Sequence, residues 1–358
     1  MKPVWNGPLV DSANNNNGVT QSMLQRYLCC PERFRLLVIG GLKEQQEFSH
    51  RMEYGSMFHV CEEHKDSDWR KALVEYSRGL ALEYSTARKE IDNWHQICMV
   101  QFPIYAEHWS KHKDVSGKTT IFREEVFNVP YKLPSGRIAL LRGKFDSVDK
   151  NGKDTVLQEN KIKGDINEEQ IKDELPSNIQ TMTYLLALTK LGFKPTAVRY
   201  NVIRRPLSDW RGKFNIKQKK GRKTKAGLVG VETRQEYLAR LGELIKENAS
   251  HFFMRWRVPV EQADLDRFKF QCLDPILENL CDDYEWWEYC AARYSGYEVF
   301  NYCLRKIHFP NHSSRHYRMP FGIYNPLLEG RKGAYADFIN TGNRRGLEQV
   351  TSLFTELR

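Results

Sequence analysis

The chain has 358 residues, of which 41% are hydrophobic, and carries a formal charge of +10. That length and apolar share suffice for one large or two ordinary cores and exclude wholesale disorder, while the excess of cations favours a polyanionic partner. No apolar run approaches the roughly 18 residues of a membrane span and no signal-type run opens the chain, so a cytoplasmic protein with reduced thiols is expected of its 8 cysteines.

Residues 1–19 read as irregular, with a polar tract at Asn14 to Asn17. Thr20 can cap a helix that runs to Tyr27, and Cys29-Cys30-Pro31 follows. Gln45 to His64 reads as a helix containing Gly55-x-x-x-His59. A glycine inside a helix costs about 1 kcal/mol relative to alanine, and close packing against the hairpin described next supplies a reason for it. Alone, His59 reads as an ordinary core or surface histidine. Residues 68–113, with Trp69, Trp94 and Trp109, form a helical layer for a sheet. Strands are expected at Thr119 to Tyr131, Arg137 to Asp149 and Asp154 to Lys161, with a turn at Leu133 to Gly136. Gly143 within a strand marks a bulge or the close approach of another backbone.

Asn151-Gly152 is a two-residue hairpin signal. With those two as the loop, Lys150 pairs with Lys153, Val148 with Thr155 and Asp146 with Leu157. Asp146, Glu159 and Lys161 then emerge on one face. Glu159 lies one diagonal step from Asp146, about 7–8 Å away at Cα, so both carboxylates can converge on one cation. Lys161 also admits a plain reading as a strand-end lysine paired with Glu159. That leaves Asp146, a poor strand residue, unexplained on the same face. Hard oxygen ligands select Mg²⁺ or Mn²⁺, and such a site beside a lysine suits phosphodiester hydrolysis.

Residues 162–175 are polar and irregular, a candidate lid. Pro176 to Leu191 reads as a helix capped by Ser177, with Gln180 and Tyr184 on one face, and Ala197 to Ile203 as a strand. Strand, helix, strand makes a parallel crossover, so the expected fold is α/β: a central mixed β-sheet with helices on its faces. Residues 204–225 are strongly basic, with Lys217, Lys219, Lys220, Arg222 and Lys223 close together. This segment reads equally as a solvated loop and as a phosphate-contacting arm. Thr233 to Asn248 is a helix opened by a Thr233/Glu236 capping box. A strand is expected at His251 to Val258 and a helix at Gln262 to Arg293, with core aromatics Tyr284, Trp286, Trp287 and Tyr289. The tail ends in a short helix at Leu347 to Leu357.

The succession Gly55-x-x-x-His59, Gly143-Lys-Phe-Asp146, Glu159-Asn-Lys161 and Gln180-x-x-x-Tyr184 resembles the PD-(D/E)XK nucleases of the RecB type. The likeness spans about residues 20–260 and looks most like stand-alone members of bacteria and phages. It implies a restriction-endonuclease-like core in which His59, Asp146, Glu159 and the backbone carbonyl of Asn160 are metal ligands and Lys161 is the catalytic lysine. Gln180 and Tyr184 would contact DNA or brace the lysine. A histidine beside two carboxylates leans the site towards Mn²⁺. Many such relatives hold a four-cysteine iron–sulfur cluster. Here Cys30 suits the first position, but Cys272, Cys281, Cys290 and Cys303 contain no tight pair, so no cluster is expected.

The domain reading is therefore an irregular segment over 1–19, a nuclease core over 20–260 with a helical layer at 45–113 and a basic loop at 204–230, and a C-terminal helical extension over 261–358. The function expected is a metal-dependent exonuclease acting on DNA ends in recombination, repair or phage DNA processing. A recombinase or helicase partner and an oligomer, but no membrane, are compatible with it. Its rivals are an inactive DNA-holding module of the same fold, and an RNA-binding or structural protein, which leaves the ordered motifs as coincidence.

Overall fold

The computed structural model describes residues 4–13, 15–29, 31–44, 47–112, 117–164, 166, 167, 169, 173, 178–206, 233–293, 338, 342–350 and 354. Lys217, Lys219, Lys220, Arg222, Lys223, Cys30, Cys303, Ser177 and most of the candidate lid lie outside them.

The chain enters through β1 (Val19–Thr20) and helices α1 (Gln21–Cys29) and α2 (Pro31–Phe34). The Thr20 hydroxyl accepts from Met23 N at 3.3 Å, so the expected cap is present. After β2 (Leu42–Glu44) come α3 (His50–Glu63), α4 (Trp69–Glu83) and α5 (Arg88–Ser110), then β3 (Thr119–Lys132), β4 (Ile138–Asn151) and β5 (Asp154–Lys163). Helix α6 (Ile179–Lys190) crosses to β6 (Pro195–Arg204). Helices α7 (Arg234–Glu247) and α8 (Ala249–Phe252) lead to β7 (Phe253–Pro259), and α9 (Gln262–Phe268) and α10 (Asp274–Arg293) follow.

Six strands make one mixed sheet in the order β1-β4-β5-β6-β7, with β3 on the other edge of β4. The crossover through α6 pairs β5 and β6 in parallel, as the strand–helix–strand pattern predicts, and the hairpins pair antiparallel. A separate cluster packs on each face of the sheet. Leu157, Val198 and Val202 join Leu185 of α6, Leu277 of α10 and Trp5 from the N-terminal segment. On the other face Ile203 and Phe253 join Tyr54, Phe58, Trp94, Phe102 and Leu241 from α3, α5 and α7. The mixed α/β sheet flanked by helices is thus the fold.

Helix α7 begins with the expected capping box: the Thr233 side chain accepts from Glu236 N, and the Glu236 carboxylate accepts from Thr233 N. Helix α6 is capped by Asn178, whose side chain accepts from Thr181 N at 3.0 Å, one residue later than expected. The helix expected at Leu347 to Leu357 is not formed at its start. Leu347–Gln349 is a strand, β8, paired antiparallel with Leu42–Glu44. Its partner lies some three hundred residues away, and local periodicity carries no trace of such pairing. Among the described residues no helix is long and apolar enough to cross a membrane.

Candidate metal centre

The β4–β5 hairpin differs in register from the expected one. Asn151 pairs with Asp154, Lys150 with Thr155 and Val148 with Leu157, so the loop is Gly152-Lys153. Gly152 takes φ +58 while Lys153 keeps a negative φ. That suits a turn with glycine at its first central position rather than one needing positive φ at both. The shift is two residues, which preserves every residue's face, but it changes the neighbour relation. Carried one step past its last pair, Ser147 with Gln158, this register sets Asp146 across from Glu159 and not one diagonal step away.

Regular pairing stops at Ser147 and Gln158. One step further, the backbone N–H of Asn160 donates to Asp146 Oδ2 at 2.6 Å. The aspartate thereby replaces a strand carbonyl as acceptor and lets β4 and β5 part. Its partner strand is irregular at the same level. Arg123 pairs with Ser147 and Glu125 with Phe145, which leaves Glu124 opposite Asp146. Glu124 has φ +46, the only non-glycine residue with positive φ among those described. An αL glutamate stores about 1–3 kcal/mol of strain, which surrounding structure must hold in place.

Here the strain turns a carboxylate inward. Glu124 Oε1 lies 3.1 Å from His59 Nδ1, and Asp146 Oδ1 lies 3.8 Å from the same nitrogen. One ligand atom from each of His59, Glu124 and Asp146 falls within 4.8 Å of the others. Lys144 bridges outward, with Nζ 3.2 Å from both Glu124 Oε2 and Glu63 Oε2. Burial opposes a charge on His59, but Asp146 and Glu124 outweigh it and raise the imidazole to about 9.

Sequence reasoning missed Glu124. The register that sets it against Asp146 is fixed by the β3–β4 turn, which closes with Leu133 N–H donating to Arg137 C=O at 2.9 Å, one residue beyond the turn expected at Leu133 to Gly136.

Glu159 lies on β5 beyond the parting of the strands and is fully buried. Lys161 Nζ donates to its Oε1 at 2.6 Å and to Gln180 Oε1, at the start of α6, at 2.8 Å. Glu159 Oε2 is buried with no hydrogen-bond partner among the described residues. Burial pushes the carboxyl of Glu159 up, against the pull of Lys161. Burial likewise raises that of Asp146, while His59 opposes the shift. Lys161 stays charged: burial disfavours its cation, and the adjoining Glu159 more than compensates.

The other expected residues fall as follows. Asn160 turns its side chain to the opposite face, where Oδ1 accepts from Asn201 Nδ2 at 2.7 Å. Tyr184 is buried, its ring edge-on to Phe127 and Phe145. Gly143 makes room for those rings. A Cβ there would meet Phe127 Cζ at 2.5 Å and Tyr184 Cε1 at 2.9 Å, so side chains rather than another backbone make the close approach. Around Gly55, by contrast, a Cβ would meet nothing within 4 Å, and the expected packing of that glycine on the hairpin is absent.

The donor set fits a divalent cation. An orphaned buried carboxylate oxygen, that of Glu159, is costly unless something pairs with it. The two acids and one imidazole of Glu124, Asp146 and His59 around one space are hard ligands with a borderline partner; Glu159 is not among those that share this space. A sequence model described as the PD-(D/E)XK nuclease superfamily matches residues 19–290. No curated protein matches the chain.

Proposed function

Because the chain belongs to the PD-(D/E)XK nuclease superfamily, we propose that it is a Mg²⁺- or Mn²⁺-dependent deoxyribonuclease of the RecB type that degrades DNA from an end. The observation that carries this reading is the pairing at β5: one oxygen of buried Glu159 is held by Lys161 and the other has no partner among the described residues.

His59, Glu124, Asp146 and Glu159 are the residues that would hold the ion. A bound divalent cation supplies Lewis-acid stabilisation of charge on the scissile phosphate and lowers the pKa of a bound water. The rest falls to the chain. Gln180 and Glu159 fix the Lys161 ammonium at the mouth of the parting strands. There it orients the attacking water and offsets the negative charge gathering on the phosphoryl oxygens as one P–O bond forms and another breaks. Asn160 N–H fixes the rotamer of Asp146, and Lys144 fixes that of Glu124, so the acids need no reorganisation on binding. The superfamily supports a DNA substrate. The end-directed reading rests on the likeness of the motifs to the RecB type.

The test uses linear duplex, covalently closed duplex and single-stranded DNA with purified protein and Mg²⁺ or Mn²⁺. Loss of linear DNA alone supports an end-directed enzyme. Cutting of closed circles makes it an endonuclease, and binding with no cutting makes it a DNA-holding module.

A further inference from the structure

We propose that the substrate strand lies along α3, running from the ligand cluster at His59 over a bare step at Gly55 to a backbone-phosphate clamp formed by Arg51 and Arg205. The proposal rests on the nuclease reading above and assigns the path of its DNA.

Arg51, Gly55 and His59 are spaced by four residues on one helix, so they stack on one face. The buried residues of the helix are Tyr54, Met57, Phe58, Cys61 and Glu62, and the four apolar ones lie on the flank beside that face. Two turns separate Arg51 from His59, about 12 Å along the axis. That span reaches from a phosphate at the ligand cluster to another further along the same strand.

Glycine is the poorest helix former after proline, and none of the described residues comes within 4 Å of where a Cβ at Gly55 would stand. Its presence has no packing reason within the described chain. A ligand backbone passing close to the helix supplies one, since a larger side chain would stand in its way.

At the far end of the track stand two arginines, Arg51 and Arg205. Arg205 leaves the C-terminal end of β6, and its backbone N–H donates to Lys163 C=O at 2.8 Å, two residues past Lys161 on β5. Ile162 and Ile203 pack in the cluster that contains Tyr54 of α3, which brings the helix start to these strand ends. Arg205 is half-buried, and both burial and the Arg51 charge work against its cation. Neither guanidinium has an ion-pair partner among the described residues. The carboxylate of Glu90 instead meets His50 Nδ1 at 3.5 Å, and that ring stacks on Trp94. Burial and both arginines disfavour a charge on His50. Two guanidinium groups brought to one end of the helix without a counter-ion among the described residues are unfavourable until an anion arrives, and their planar forks suit a phosphodiester.

The track predicts opposite signs for stability and binding at one position. In a Lys161→Ala background, which suppresses cutting, Gly55→Ala should melt at or above the parent temperature, and Gly55→Leu should keep the Mn²⁺-dependent shift in melting temperature. Gly55→Leu should nonetheless bind a labelled DNA oligonucleotide about tenfold more weakly. Arg51→Ala with Arg205→Ala should lower the slope of log Kd against log salt by about two. A neutral methylphosphonate walked along the strand should weaken the parent at one position and leave the double-arginine variant unaffected there. Unchanged binding by Gly55→Leu, or an unchanged salt slope in the arginine variant, overturns the track. Wild-type protein that binds with this pattern but does not cut overturns the catalytic reading and not the track. Protein that neither binds nor cuts overturns both.

Discussion

Lys161 Nζ donates to Glu159 Oε1 at 2.6 Å while Glu159 Oε2, also buried, has no partner among the described residues. A carboxylate half-satisfied in this way is held ready for a cation, and its removal should be felt in metal response before it is felt in folding. Glu159→Gln and Asp146→Asn should each abolish the rise in melting temperature that millimolar Mn²⁺ gives the wild type. A saturating ligand at a hundred times its Kd contributes about 2.7 kcal/mol, so the loss is readily measured by thermal scanning. An undiminished shift in both variants would place the ion elsewhere.

Glu124 should behave as a member of the same cluster although no motif marks it. Glu124→Gln keeps the shape and removes the charge that faces His59 at 3.1 Å. It is expected to weaken Mn²⁺ binding by about 1.5–3 kcal/mol, the scale of a charged contact, as read by titration calorimetry. Wild-type affinity in this variant would make Glu124 a strained bystander.

The metal response should grow with pH. In metal-free protein His59 is raised from 6.5 to about 9 and Glu159 from 4.5 to about 7. A raised folded value means that stability present at low pH is lost as pH rises. For Glu159 the loss falls between 4.5 and about 7, and for His59 between 6.5 and about 9. A bound cation needs both groups deprotonated. Melting temperature in EDTA should therefore fall from pH 5 towards pH 9, and the Mn²⁺-induced gain should increase over the same range. Glu159→Gln should flatten the lower part of the EDTA curve.

A second charged cluster governs the acid side. Asp149 is buried and accepts from Lys118 Nζ at 2.8 Å, from Thr120 Oγ1 at 2.9 Å and from Arg199. Burial pushes its carboxyl up, but Lys118 and Arg199 outweigh that and hold it below the ordinary 3.8. Its contribution is present above 3.8 and lost as pH falls through the lower folded value. Asp149→Ala leaves two cations without their acid and should cost about 3–5 kcal/mol at neutral pH, measured by urea denaturation. A change below 1 kcal/mol would mean that solvent replaces the pair.

Gly143→Ala should destabilise by about 1–3 kcal/mol through overpacking, because the added carbon meets two aromatic rings inside 3 Å. Both rings belong to the layer that holds α6 on β4, so Gln180 should shift too and cutting should slow.

Much of this arrangement was legible in the sequence. The hairpin signal at Asn151-Gly152 located Asp146, Glu159 and Lys161 on one face even though the loop closes one residue later, because a slip of two preserves parity. The capping box at Thr233 and the parallel crossover through α6 are local patterns and were equally plain. What escaped depends on partners distant in sequence or on unusual backbone. Glu124 sits in a run, Arg123-Glu124-Glu125, that reads as a solvated strand edge, and a positive φ at glutamate has no sequence signature. The pairing of Leu347–Gln349 with Leu42–Glu44 is non-local. Gly55 was read as a packing position, but a glycine in a helix looks the same whether a neighbour or empty space lies beside it.

The central claim is that the cluster around Lys161 is the centre of a metal-dependent DNA nuclease. Its most direct test is the rate of linear DNA loss for wild type and Lys161→Ala in Mg²⁺ or Mn²⁺, with EDTA beside each. The account predicts cutting by wild type that EDTA stops. For Lys161→Ala it predicts a rate lower by about 10²–10³-fold, with the metal-induced melting shift retained. Equal cutting by both proteins, or cutting that persists in EDTA, would contradict it.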